Sequence, residues 1–123
     1  MTDVLVVDDN LDVLESTAAL LELLGHSVET ESAAPNALRT IRSARPGLVL
    51  LDLHMPGLDV RTLVRGVRAD HETASTAIVL FSADESVKDL APLWGADGFL
   101  LKPFQIEQLE RLLSHYVPRP PPA

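Results

Sequence analysis

The chain is predicted to fold as one α/β domain, a parallel sheet lying between two layers of helices. Three observations carry that expectation. Val4–Val7, Leu48–Leu51, Ile78–Phe81 and Phe99–Leu101 are apolar runs with little polar alternation, as strands buried on both faces are. The stretches between them repeat apolar residues at helical spacing. Glycine and proline fall at the junctions.

Val4–Val7 is the first strand. Leu14, Ala18 and Leu21 follow at i, i+4, i+7 and mark a helix, with Asp9 or Asn10 placed to cap its start and Gly25 at its C′ position. Ser27–Glu31 is more polar, which predicts an edge strand. Ala34–Ala44 is the least marked helix, because only Ala37, Leu38 and Ile41 supply its apolar face. Pro46-Gly47 breaks the chain before Leu48–Leu51, and Pro56-Gly57 turns it afterwards. Asp59 is placed to cap a third helix, whose face is Val60, Leu63, Val64 and Val67. After Ile78–Phe81, the spacing of Val87, Leu90, Ala91 and Trp94 predicts a fourth helix, ended by Gly95. Phe99–Leu101 and a helix on Ile106, Leu109 and Leu113 complete the pattern. Five strand–helix units in succession imply right-handed crossovers. The domain is expected over residues 1–116, and the proline-rich 117–123 reads as a tail or linker stub.

The length of 123 residues suits one domain. There is no cysteine, which excludes disulfides and thiolate metal sites. A net charge of −8 argues against direct nucleic-acid contact, since a phosphate backbone would be repelled. The N-terminus lacks a secretory pattern, and no apolar run approaches the roughly 20 residues of a membrane span. A cytoplasmic location without membrane contact is the expectation.

Ligands of an open parallel sheet bind beyond the carboxyl ends of its strands. Asp8 and Asp9 follow the first strand, Asp52 the third, Ser82 the fourth, and Lys102-Pro103 the fifth. Three carboxylates at one rim repel each other and call for an offsetting charge. Oxygen ligands without cysteine or histidine favour a hard cation such as Mg²⁺. Asp52, placed centrally, is the expected nucleophile for phosphoryl transfer to a carboxylate. Asp9 would bind the metal directly, and Asp8 directly or through water. Ser82 and Lys102 would hold phosphoryl oxygens, and Lys102 would pair with Asp52 before the group arrives. Ala83 is small and leaves a way in.

Four stretches, VLVVDDN (4–10), LVLLDLHMPGLD (48–59), VLFSAD (79–84) and GADGFLLKPF (95–104), together resemble the receiver domain of bacterial two-component response regulators. The resemblance covers residues 3–116. It implies a flavodoxin-like (βα)5 fold, doubly wound, with strand order 2-1-3-4-5. It implies a sensor histidine kinase or histidine phosphotransfer protein as donor to Asp52. It implies Mg²⁺, with Mn²⁺ as a substitute, on Asp8, Asp9, Asp52 and the backbone carbonyl of His54, and a cis bond before Pro103. Ser82 and Phe99 would be switch residues, altering the face around helix 4, strand 5 and helix 5 for an output domain, a partner protein or a homodimer. His54 and Asp84 would flank the pocket mouth and tune phosphoryl lifetime. The domain would catalyse only its own phosphorylation and dephosphorylation.

Other readings fit less well. A dehalogenase-type phosphatase needs a second acid two residues after its nucleophile, where this chain has His54, and places the nucleophile after the first strand. A flavin module would need a hydroxyl- and glycine-rich loop where Asp8-Asp9-Asn10 stands. A phosphorylation-independent interaction module would not need all five pocket residues. His26, His71 and His115 make no metal-ligand spacing. Phe99 is expected to be half packed, Trp94 to be core or partner surface, and Arg65 and Arg68 to form a solvated face.

Overall fold

The computed structural model describes residues 2–118. In chain order the elements are β1 (Val4–Val7), α1 (Leu11–Leu23), β2 (Val28–Glu31), α2 (Ala37–Ala44), β3 (Leu48–Asp52), α3 (Val60–Ala69), β4 (Ala77–Ser82), α4 (Val87–Leu93), β5 (Gly98–Leu101) and α5 (Ile106–Tyr116). All strand pairs are parallel, and the order across the sheet is β2-β1-β3-β4-β5.

The apolar runs of β1, β3 and β4 are explained by a core on each face of the sheet. Leu5, Val7, Val49, Leu51, Ile78 and Leu80 pack with α2, α3 and α4. Their alternate neighbours Val4, Val6, Leu48, Leu50, Val79 and Phe81 pack with α1 and α5. Burial on both faces therefore replaces the usual polar alternation. The β2 strand pairs with β1 alone and is more polar, as an edge strand should be.

Local signals set the element ends. Asn10 caps α1 by accepting from the backbone N–H groups of Asp12 and Val13. At its other end Gly25, at φ 90°, donates to Glu22 O while His26 N–H donates to Leu21 O. That pair of bonds is a Schellman stop and needs the left-handed residue that glycine supplies. Asp59 caps α3 through Thr62 N–H. The expected helix over Ala34–Ala44 divides into a 3₁₀ turn, Ala34–Asn36, and the shorter α2. Pro35 stands inside that turn, where its missing N–H is tolerated. Val117, placed in the expected tail of 117–123, packs against the α1/α5 core instead, and residues 119–123 of that tail lie outside the described residues.

One expectation is corrected. Arg65 is exposed, but Arg68 is not part of a solvated face. Its guanidinium donates to the carbonyls of Ala74, Thr76 and Gly95 and, at 2.7 Å, to Asp97 Oδ2. The same Asp97 oxygen accepts Ile78 N–H at 2.7 Å, and Asp97 O accepts the Tyr116 hydroxyl. This clasp ties α3, the start of β4 and the end of α5 together, at the sheet edge opposite Asp52. We predict that Arg68→Ala lowers stability by about 2 kcal/mol, because it takes the donor from the part-buried Ala74 and Thr76 carbonyls and unties Asp97. Lysine cannot reproduce the planar fork, so Arg68→Lys should recover only part of the loss. Urea unfolding midpoints check both.

Candidate functional site

The chain runs out of β1 directly into Asp8, which is 1% exposed. Its Oδ1 accepts Asn10 N–H at 2.9 Å, closing a turn, and Asn10 in turn caps α1. Asp9, between them, is exposed and has no part in the cap. Asp52 is the last residue of β3 and Ser82 the last of β4, and both are buried. The sequence placed both after their strands; the pairing of β3 with β4 extends through Asp52, opposite Phe81.

Asp8, Asp9 and Asp52 each offer a carboxylate oxygen, and these lie within 4.8 Å of one another. Lys102 enters from the end of β5. Its Nζ is 3.1 Å from Asp8 Oδ2 and 3.9 Å from Asp52 Oδ1. The lysine was expected to pair with Asp52, but Asp8 is its nearer partner. Asp8 is the more deeply buried of the two. The ammonium also stands 4.2 Å from the centre of the Phe81 ring, a cation–π contact the sequence reading did not foresee. Phe81 is the residue just before Ser82, which is the only sequence signal for it. The Lys102–Pro103 peptide bond is cis.

Electrostatics single out Asp52. Burial, and then the charge of Asp8, hold its carboxyl above the usual carboxylate range. Lys102 and the backbone N–H of His54 work the other way and only partly offset this. Three carboxylates face one ammonium, so two negative charges stay uncompensated when all are ionised. An all-oxygen donor set with that excess fits a hard divalent cation.

The loops above Asp52 carry His54 and Asp84. Both side chains are exposed, yet His54 Nε2 lies 2.9 Å from Asp84 Oδ2. Backbone N–H donation from Ser86, followed by the bond from His54, holds the Asp84 carboxyl down at about 2. Asp84 N–H donates to Ser82 Oγ at 3.0 Å, so the Ser82 hydroxyl proton is left for another acceptor. Ala83 is exposed beside them. Phe99 is 39% exposed on the edge strand β5 and belongs to neither core cluster, so it is part packed and part exposed, as the half-packed expectation had it. Trp94 caps α4 and packs against the α2–α4 core.

The family model for the response regulator receiver domain matches residues 4–114. This chain belongs to that family. It is 41% identical over 108 residues to the transcriptional regulatory protein PrrA of Mycobacterium leprae, a match covering 86% of this chain and 46% of the relative. The chain thus spans about half the length of that relative. Among solved structures, chemotaxis protein CheY4 of Vibrio cholerae superposes on this receiver domain with a TM-score of 0.83 at 28% identity, covering 95% of this chain and 99% of the other. The receiver domain of sensor histidine kinase PA1611 from Pseudomonas aeruginosa gives 0.84 at 25% identity, covering 96% and 98%. That structure is described with a magnesium ion in its active-site cleft. Among the described residues of this receiver domain, no helix is long and apolar enough to cross a membrane.

Proposed function

We propose that this receiver domain accepts a phosphoryl group on Asp52 from a phosphohistidine of a sensor kinase or phosphotransfer protein. The observation that carries this is the placement of one buried carboxylate between two others and a lysine, at the carboxyl edge of the sheet. An Asp52 oxygen attacks phosphorus, the P–N bond breaks, and its electron pair leaves on the imidazole nitrogen. Asp9, Asp52 and the His54 carbonyl would hold Mg²⁺, with Asp8 direct or through water. Bound there, the ion would neutralise the charge that builds up on phosphoryl transfer. Lys102 Nζ lies between Asp8 and Asp52, so it donates to a phosphoryl oxygen arriving at Asp52. The Ser82 hydroxyl donates to another.

Ser82 turning toward the phosphoryl group, with Phe99 moving from its exposed position, would carry the signal to the face formed by α4, β5 and α5. That face would meet an output domain, a partner or a second copy. The acidic charge disfavours nucleic-acid contact by this domain itself. The relative PrrA is named as a transcriptional regulator and is about twice as long, so contact of that kind would fall to other residues of a longer protein. Function in the cytoplasm follows from the same reading.

Acetyl phosphate with Mg²⁺ should add one phosphoryl group per chain, stable to acid and labile to base, and a chelator should prevent it. Sustained turnover of a general phosphomonoester would overturn the reading in favour of a phosphatase. Mg²⁺ alone should also stabilise the fold. At about ten times its dissociation constant the gain is about 1.4 kcal/mol, or about 3–6 °C in Tm. A thermal scan with and without the ion checks it.

A further inference from the structure

Phe81 is the register partner of Asp52 across β3 and β4. Side chains alternate along a strand, so register partners in a parallel pair leave the sheet on the same face. The Phe81 ring is 1% exposed and packs in the α1/α5 core. Phe104 lies against it, with ring centres 5.6 Å apart and planes tilted by 59°. The ring is therefore fixed before anything binds. Lys102 Nζ stands 4.2 Å from its centre, 3.1 Å from Asp8 Oδ2 and 3.9 Å from Asp52 Oδ1. Only Asp8 is within hydrogen-bond distance, and one such bond leaves a flexible four-carbon stem free to swing about it. The ring face, which attracts a cation through its quadrupole, removes that freedom.

We infer that Phe81 is a positioning residue, whose ring face holds the Lys102 ammonium where a phosphoryl oxygen on Asp52 arrives. This rests on Asp52 being the phosphoacceptor and names what keeps its lysine in place. A carboxylate at position 81 would also hold the ammonium, but it would neutralise it and add a fourth negative charge beside Asp8, Asp9 and Asp52. An aliphatic side chain would fill the space and attract nothing. The aromatic face attracts the cation and leaves its charge and its N–H groups for the phosphoryl oxygens. Phe81 acts on the transfer through Lys102 alone, so its effect must vanish when the ammonium is absent.

Two replacements test this. Phe81→Leu removes the ring. Replacing Phe81 by pentafluorophenylalanine keeps the shape and the burial but reverses the polarity of the face, so that it repels the ammonium. Labelling by acetyl phosphate with Mg²⁺ should slow about fivefold with leucine and about tenfold with the fluorinated ring. The fluorinated protein should still unfold cooperatively near the wild-type Tm. In the Lys102→Ala background neither replacement should slow labelling further. Packing alone predicts the opposite: a fluorinated ring as active as the natural one, and a leucine loss that persists without the lysine. Either result overturns the inference. A second readout needs no phosphorylation. Cε carries Nζ, so the Lys102 Cε protons should feel the ring current and resonate upfield of those of the exposed Lys88. Phe81→Leu should abolish that difference. Unshifted protons in the wild type overturn the inference as well. Shifted protons in a domain that acetyl phosphate does not label at Asp52 overturn the phosphoacceptor reading and leave Phe81 holding Lys102.

Discussion

Asp52→Asn should give a folded protein that takes no phosphoryl group and is more stable than the wild type at neutral pH. The amide oxygen is a far weaker nucleophile than a carboxylate, so labelling by acetyl phosphate should vanish. Labelling at the wild-type level would refute the assignment. The stability gain follows from burial and the Asp8 charge, which hold the Asp52 carboxyl above its ordinary range. A raised carboxyl means that folding disfavours the ionised form. The penalty is present above the folded value and disappears once the pH is below the ordinary carboxylate range, where the group is protonated in both states. A neutral amide of the same shape removes it. The expected gain is about 1 kcal/mol at about pH 7 and close to none at about pH 3. The Mg²⁺ stabilisation should shrink as well, since a central charged ligand is gone. Urea unfolding at the two pH values, with and without Mg²⁺, measures all of this.

Lys102→Ala should separate fold, metal and chemistry. Its Nζ is the close cationic partner of Asp8, whose side chain is only 2% exposed. Removing one member of a buried ion pair costs about 3–5 kcal/mol. Lys102 is 23% exposed, so solvent replaces part of the interaction and about 2–3 kcal/mol is the expected loss. Mg²⁺ should bind at least as tightly, because a competing positive charge has left the carboxylates. Phosphoryl transfer should nevertheless slow by about 10²–10³, the usual effect of deleting one donor to a developing oxyanion. Weaker Mg²⁺ binding together with an unchanged labelling rate would contradict the placement of Lys102.

Much of the fold was legible because apolar periodicity differs so sharply between its strands and helices. The runs of β1, β3 and β4 are fully buried on both faces, and no helix among the described residues reads that way. Their ends were less legible. Asp52 and Ser82 are polar, so they marked the strands as finished one residue before the backbone pairing stops. The end of α2 falls at Arg45, which adopts a left-handed φ of 46° without a glycine to announce it. Pro92 sits in the last turn of α4, where proline is an unusual choice, so the apolar spacing alone pointed to that helix.

The five pocket residues could be placed in advance because sheet topology alone sends strand ends to one edge. Partner choice could not. That Lys102 prefers Asp8, that Phe81 lies beneath its ammonium, and that His54 reaches Asp84 all depend on side-chain direction and burial. Arg68 shows the same limit. Helical spacing put it on an outer face, while the loop before β4 and the approach to β5 fold back over it.

The most direct measurement is to label the wild-type domain with acetyl phosphate and Mg²⁺, reduce it with borohydride and map the product by peptide mass spectrometry. An acyl phosphate on Asp52 predicts homoserine at position 52 and aspartate unchanged at 8 and 9. A reduced residue at Asp8 or Asp9, or a phosphoryl group resting on Ser82 or a histidine, would contradict the account.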